Sequence, residues 1–325
     1  VIEAIPMMIF MDPPRQTRLR KLISRAFTPR AVERMETAIR SRATELVDAM
    51  CARGAADFVA DFAAVLPMDA ISALLGVPAA DRNAVREHTD AMLSRDPDTP
   101  ELPARAIAGG AWTTQYFQRL IEDRRARPGD DLVSALLAAD MPGDDGAPTR
   151  LSGGEILGFV TLLSGAGNET VTKLLGNTAV LLARHPDVRA RLVREPAGIP
   201  AALEESLRYW PPSQYQGRSL TRDVALHGVT MPKGSRVLLL TGAACRDERE
   251  FADADRFDVA RPIAIQLAFG HGVHKCLGAA LARLEARIAI EELLARIPAW
   301  SIDEARCTRV HMTSVMGFAS VPATW

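Results

Sequence analysis

The residues most able to do chemistry lie in Phe269-Gly270-His271-Gly272-Val273-His274-Lys275-Cys276-Leu277-Gly278, a glycine-rich run that feeds an apolar helical pattern. That pattern predicts a helix over 276–296, with Cys276 in its first turn. A helix N-terminus offers unpaired N–H groups and about half a positive charge, which stabilise a thiolate and lower its pKa. A thiolate so held is a good ligand for redox-active iron. Taken alone, Cys276 would by default be a small, inert hydrophobe. His271-x-x-His274-x-Cys276 also admits zinc, but structural zinc normally draws on two paired clusters, and no second Cys/His pair occurs. Cys51, Cys245 and Cys307 are scattered singly and read as packing residues.

A second constellation is Ala166-Gly167-Asn168-Glu169-Thr170. Glycine inside a helix costs about 1 kcal/mol against alanine, so Gly167 needs a reason. Close approach of a flat ligand is one, and helix packing is the plainer one. Glu169 and Thr170 place a carboxyl beside a hydroxyl, a pairing suited to passing protons. A third is Glu205-Ser206-Leu207-Arg208, whose carboxylate and guanidinium are helix neighbours at i, i+3. Such a pair is commonly a surface bridge worth about 0–1 kcal/mol.

Helical periodicity dominates the elements that must position these groups. Helices are predicted over 15–27 and 30–50, divided at Thr28-Pro29, and over 67–76, 80–94, 104–126 and 130–138. Residues 140–150 read as an exposed loop. A long helix starts at Ser152, where Ser152 and Glu155 form a capping box, and reaches Arg184. Helices over 187–195 and 199–210 follow. Residues 222–240 alternate around Met231-Pro232-Lys233-Gly234 as a small β unit, and 308–324 reads as a strand-like tail. The expected fold is mainly α with a small β portion, in a single domain over 1–325.

The 325 residues are 48% hydrophobic and 24% charged, with a net charge of −1. That balance gives no general attraction to nucleic acid or an anionic membrane. No apolar stretch reaches the about 18 residues of a membrane span. Four cysteines without a pairing pattern point to a reducing compartment.

Taken together, these segments resemble the cytochrome P-450 family of haem-thiolate enzymes, soluble bacterial type. The cysteine loop matches Phe-Gly-x-Gly-x-His-x-Cys-x-Gly at every fixed position, and 166–170 is similar to the family's acid–alcohol motif. Glu205-x-x-Arg208 followed by Tyr209-Trp210-Pro211-Pro212 resembles its structural Glu-x-x-Arg helix. Asp12-Pro13-Pro14-Arg15-Gln16-Thr17-Arg18-Leu19-Arg20 resembles its Asp-Pro-Pro-x-His-x-x-x-Arg segment, with Gln16 where histidine is commoner. The resemblance implies haem b, with Cys276 as iron ligand and Glu169 and Thr170 as catalytic residues. It implies haem contacts from Arg20, Ala166, Gly167, Arg218, Phe269, Gly270, His274 and Gly278. Arg256 would complete the structural network of Glu205 and Arg208, although the family's prolines near 252 and 254 are absent. Arg15 and Arg18 read as a solvated basic face.

The implied reaction is monooxygenation: O2 is activated and a small organic substrate is hydroxylated. Electrons would come from a separate ferredoxin-like donor with its reductase, and Lys275 is a candidate contact for it. Ser213, Gln214, Tyr215, Gln216, Val315 and Met316 would lie near the substrate, and the polar ones among them suggest a hydrogen-bonding substrate. The alternatives are a haem-thiolate enzyme doing oxidative coupling or peroxygenation, and a truncated, non-catalytic haem-binding relic. The expected location is cytoplasmic, with no nucleic-acid or membrane partner. Family members carry several dozen residues ahead of the Asp-Pro-Pro segment, so a chain beginning at Val1 is expected to be an N-terminally incomplete version of the fold.

Overall fold

Thr28 closes one helical run and opens the next. Its hydroxyl accepts from the Ala31 N–H, and Pro29 occupies the first helical position, where a missing N–H costs nothing. The computed structural model describes residues 5–142 and 148–325. Helix α1 spans Arg15–Ile23 and tightens into a 3-10 turn over Ser24–Phe27; α2 covers Pro29–Glu33 and α3 Glu36–Cys51. The helix foreseen over 30–50 is thus broken at Arg34-Met35.

Helices α4 (Val65–Leu75), α5 (Arg82–Leu93), α6 (Ala104–Ala126) and α7 (Leu132–Ala138) follow close to their predicted bounds. The stretch predicted as a loop over 140–150 begins and ends in a pair of short antiparallel strands, β2 (Asp140–Pro142) and β3 (Pro148–Arg150). The middle of that stretch lies outside the described residues.

Helix α8, Gly153–Arg184, is the axis of the molecule. The Ser152 hydroxyl accepts from the Glu155 N–H at 3.2 Å, and the Glu155 carboxylate accepts from the Ser152 N–H at 2.9 Å. Its apolar residues are buried on nearly every side, as in a helix enclosed by others. Between Ile156 and Leu182 only Leu162, Ala166, Gly167 and Thr170 are not fully buried. Helices α9 (Pro186–Arg194), α10 (Ile199–Tyr209) and α11 (Thr241–Ala244) precede the cysteine loop, and α12 (Ala279–Arg296) follows it. One hydrophobic cluster runs through α1, α3, α4, α8, α10 and α12.

The β content is small and split. Strand β1 (Ala55–Asp57) pairs with β11 (Pro322–Thr324), which also pairs with β8 (Ser301–Ile302). Strand β4 (Gln216–Ser219) pairs with β7 (Arg236–Leu239), and β5 (Val224–Leu226) with β6 (Val229–Met231). The β5–β6 turn is His227-Gly228, both at positive φ, as a two-residue hairpin of right-handed strands requires. Strands β9 (Thr308–Arg309) and β10 (Phe318–Ser320) complete the tail. The expected β unit therefore divides: β5 and β6 pair with each other, whereas β7 reaches back to a strand outside the predicted window.

Candidate functional site

Two surfaces carry the residues singled out by sequence. The first is the middle of α8. At about 100° per residue, Ala166 and Thr170 point the same way, and Thr170 Oγ1 donates to the Ala166 carbonyl at 3.1 Å. Ala166 is exposed in the centre of an otherwise enclosed helix. Gly167 points elsewhere. A Cβ there would come within 3.0 Å of Ile71 Cγ1 on α4, so helix packing accounts for this glycine, and the ligand-approach explanation is not needed. Glu169 is 7% exposed, and its carboxylate pairs with Lys173 Nζ at 2.8 Å, one turn on.

The second surface is the cysteine loop. Gly270 and Gly272 have φ of 67° and 76°, values that side chains disfavour. The Gly270 N–H donates to the Leu267 carbonyl, that of Lys275 to Gly272, and that of Cys276 to Phe269 at 2.8 Å. A Cβ on Gly270, Gly272 or Gly278 would meet nothing within 4 Å, so these positions form an open cradle. Cys276 is exposed by area, although the protein around it desolvates its thiol.

Cys276 does not sit in a helical turn, because α12 begins at Ala279 with Gly278 as its cap. Burial pushes its thiol above the usual value, partly offset by the Gly278 N–H and by the charges of Arg20 and Arg283. The lowering expected from a helix N-terminus is therefore reduced to one N–H and two cations, and burial outweighs them.

Several clips fix this loop, none of them evident from spacing. The Gln16 side-chain amide, 1% exposed, donates to the Val273 carbonyl at 2.7 Å. Gln266 donates to the Glu204 carbonyl at 2.9 Å. Arg283 pairs with Glu204 at 2.5 Å, and its guanidinium lies 4.5 Å from the centre of the Phe269 ring, a cation–π stack. Arg20 makes no ion pair among the described residues, and Arg218 is exposed and donates to the Gly217 carbonyl. His274 is half-buried and Lys275 exposed.

The Glu-x-x-Arg pair is a buried hub and not a surface bridge. Arg208 and Glu205 both have fully buried side chains and meet at 2.7 and 2.8 Å. Arg208 also donates to the carbonyls of Cys245, Ala254 and Arg256. Glu205 accepts from the Asp258 N–H at 2.8 Å and from Arg261 Nε at 3.4 Å. Here the expectation for Arg256 needs correcting. Its guanidinium is 67% exposed and pairs with Asp258; only its carbonyl joins the network. The second buried guanidinium is that of Arg261, 9% exposed, which also donates to the carbonyls of Ala252, Asp253 and Arg256.

The residues expected near the substrate are held by bonds of their own. Gln214 donates to the Pro211 carbonyl, and Tyr215 to that of Thr313. Gln216 donates to Ser213 and accepts from Thr241. Tyr215 ties the segment to the 313–316 loop, where Ser213 also bridges to Val315, whereas Gln214 and Gln216 bond within the segment and to Thr241. Val315 and Met316 are half-buried.

A mostly helical fold with an open cysteine loop and an accessible alcohol in its axial helix is the arrangement expected of a haem-thiolate enzyme. Comparison with known proteins agrees. The family model "Cytochrome P450" matches residues 199–312. The chain is 43% identical over 316 residues to "Putative cytochrome P450 123" of Mycobacterium tuberculosis, covering 97% of this chain and 77% of that protein. It is 41% identical to "Cytochrome P450 monooxygenase PikC" of Streptomyces venezuelae, covering 98% and 76%. The structure of cytochrome P450 CYP109Q5 from Chondromyces apiculatus superposes with a TM-score of 0.89 at 35% identity, covering 99% of this chain and 80% of that one. The chain belongs to the cytochrome P450 family, and is a P450 oxidoreductase. The cofactor of that family is haem b, bound through a thiolate. No described helix is long and apolar enough to cross a membrane.

Proposed function

We propose that the chain is a monooxygenase in which Cys276 is the thiolate ligand of haem b and a small organic substrate is hydroxylated beside Thr170. One observation carries this reading. Cys276, receiving the Gly278 N–H, stands exposed on an open glycine cradle, and an exposed Ala166 with Thr170 interrupts an otherwise buried helix. A flat ligand would lie between two such surfaces, and Arg20, which makes no ion pair among the described residues, would take its propionates with Arg218 and His274, since a guanidinium grips a carboxylate bidentately. Ala166, Phe269, Gly270 and Gly278 would contact its faces. Gly167 belongs to the packing around Ile71.

Haem, once bound through a thiolate, supplies the oxygen chemistry. The chain's own residues do the rest. Thr170 Oγ1, now donating to the Ala166 carbonyl, can turn its proton toward the cleft at little cost. Glu169, one residue before it, holds the carboxyl from which that hydroxyl is resupplied, and Lys173 fixes its position. Val315 and Met316 would offer the substrate an apolar wall.

Electrons would arrive from a separate ferredoxin-like donor with its reductase, docking on the side of exposed Lys275. Replacing that charge (Lys275→Glu) is expected to slow reduction and weaken its salt dependence.

The reading is tested by the spectrum of the reduced, carbon monoxide-bound holoprotein. A strongly red-shifted Soret band that Cys276→Ser abolishes supports it. Bound haem without that band in the unaltered chain removes Cys276 as ligand. For the reaction itself, Thr170→Ala is expected to raise peroxide release relative to product; unchanged coupling would favour oxidative coupling or peroxygenation.

A further inference from the structure

On the face of α8 between the cleft and α5 lies a group of charges that the proposed reaction leaves unexplained. Around the helix, Glu169 falls between the strip formed by Ala166 and Thr170 and the strip that packs on α5, namely Ser164, Gly165 and Asn168. Two polar clips hold α5 there. Thr89 and Ser164 hydroxyls meet at 3.2 Å, and Asn168 Nδ2 donates to Asp90 Oδ1 at 3.3 Å. Asp90 is thereby fixed beside the residue that precedes Glu169.

The charges around Asp90 are few. Glu169 and Lys173 face it from α8, and Arg86 and Glu87 from its own helix. Arg86 Nη1 stands 3.7 Å from its carboxylate. Lys173 is buried against Gly317, whose added Cβ would strike the lysine stem, so this ammonium is not free to leave. Glu169 thus has a buried ammonium as its partner and Asp90 has the Arg86 guanidinium, with the Lys173 charge acting on both carboxyls. One of them, Glu169, is closed off, with its side chain 9% exposed, whereas the Asp90 side chain is 37% exposed.

We propose that Asp90, Lys173 and Glu169 form one proton-exchange unit, in which Asp90 is the outer carboxyl that resupplies Glu169 from the α5 side. The proposal rests on the monooxygenase reading above. In each cycle a proton leaves the Asp90 carboxyl for the Glu169 carboxylate, and Asp90 takes a replacement from water. Lys173 and Arg86 keep the pair from carrying two uncompensated negative charges, and Asn168 ties Asp90 to the turn of α8 that carries Glu169. Enclosure by protein and the neighbouring Glu169 charge push Asp90 up to about 7, so at neutral pH it both holds and releases a proton. Asp90 is a positioning and relay group acting through Glu169, not a group that touches substrate.

The test is carried out on the holoprotein with Asp90→Asn, Asp90→Glu and Lys173→Met. Infrared difference spectra of wild type against Asp90→Asn are expected to show a protonated-carboxyl band that disappears as pH rises through neutrality. In Lys173→Met, where the cation's pull is gone, the band should persist to higher pH. The ratio of peroxide to product is expected to rise several-fold in Asp90→Asn and lose its pH inflection, and Asp90→Glu should restore both. A purely structural aspartate would give a band titrating in the ordinary carboxylate range, and an Asp90→Asn profile parallel to wild type; either result overturns the proposal. If the wild-type spectrum lacks the thiolate Soret band, the underlying reading fails as well. A normal Soret band with unchanged Asp90→Asn coupling rejects only the relay.

Discussion

Gln16 on α1 donates its side-chain amide to the carbonyl of Val273, three residues before Cys276, at 2.7 Å. Helix α1 is thereby tied to the cysteine loop by a part-buried bond between residues 257 positions apart. Thr17 Oγ1 donates to Gln16 Oε1 at 3.2 Å and orients the side-chain amide. A histidine, as the family more often has here, would present a ring in place of this neutral fork. The position works in this chain as a clamp on the loop.

Gln16→Ala should therefore act on the loop. Leaving a buried carbonyl unpaired costs about 1–3 kcal/mol, which denaturant unfolding of the holoprotein would show. The reduced, carbon monoxide-bound form should also convert faster to the species that has lost its thiolate band. Unchanged unfolding and an unchanged conversion rate would remove the clamp.

The residues whose chemistry demands fixed types were legible in the sequence: the Cys276 loop, Glu169 with Thr170, Glu205 with Arg208. The capping box at Ser152 was legible for the same reason, since its geometry needs two particular side chains. What escaped depended on distant partners. Ala55-Ala56-Asp57 has no strand propensity, and is a strand because Pro322–Thr324 lies alongside. Leu277 continues the apolar period and so draws Cys276 into the predicted helix, but the turn at 277–278 delays α12 to Ala279. Arg261 was missed for want of any periodicity in the irregular run from 245 to 266. The partners that hold Gln214, Tyr215 and Gln216, at Pro211, Thr313, Ser213 and Thr241, are equally invisible in the spacing.

The two arginines of that irregular run should behave oppositely. Arg261→Ala takes a nearly buried guanidinium from Glu205 and three carbonyls, and breaking such a buried network costs about 3–5 kcal/mol. Arg256→Ala removes an exposed side chain whose ion pair is worth about 0–1 kcal/mol. Thermal or denaturant unfolding of the two holoproteins separates them. A larger loss for Arg256→Ala would restore it to the network in place of Arg261.

Gly167→Ala distinguishes helix packing from ligand approach. The added methyl would lie 3.0 Å from Ile71 Cγ1 and 3.2 Å from its Cδ1, and overpacking of this kind costs about 1–3 kcal/mol. Ile71→Val removes Cδ1 and should recover part of the stability in the double variant. Haem content per chain is expected to stay at the wild-type level throughout. Loss of haem that Ile71→Val leaves uncorrected would mean that Gly167 serves the ligand after all.

Asp90 also predicts how stability follows pH. Its carboxyl is raised from 3.8 to about 7 in the folded protein, so between those values the folded chain binds a proton that the unfolded chain has released. Stability then falls as pH rises: the contribution is fully present below the unfolded pKa and is lost on passing through about 7. Asparagine at this position has nothing to titrate. The stability of wild type relative to Asp90→Asn should therefore decline from acid to slightly alkaline pH. The side chain is more than a third exposed, and solvent screening holds the change to about 1–2 kcal/mol. Denaturant midpoints of both holoproteins across this range measure it. Parallel curves would mean that Asp90 titrates as it does in the unfolded chain, with neither Glu169 nor enclosure by α8 acting on it.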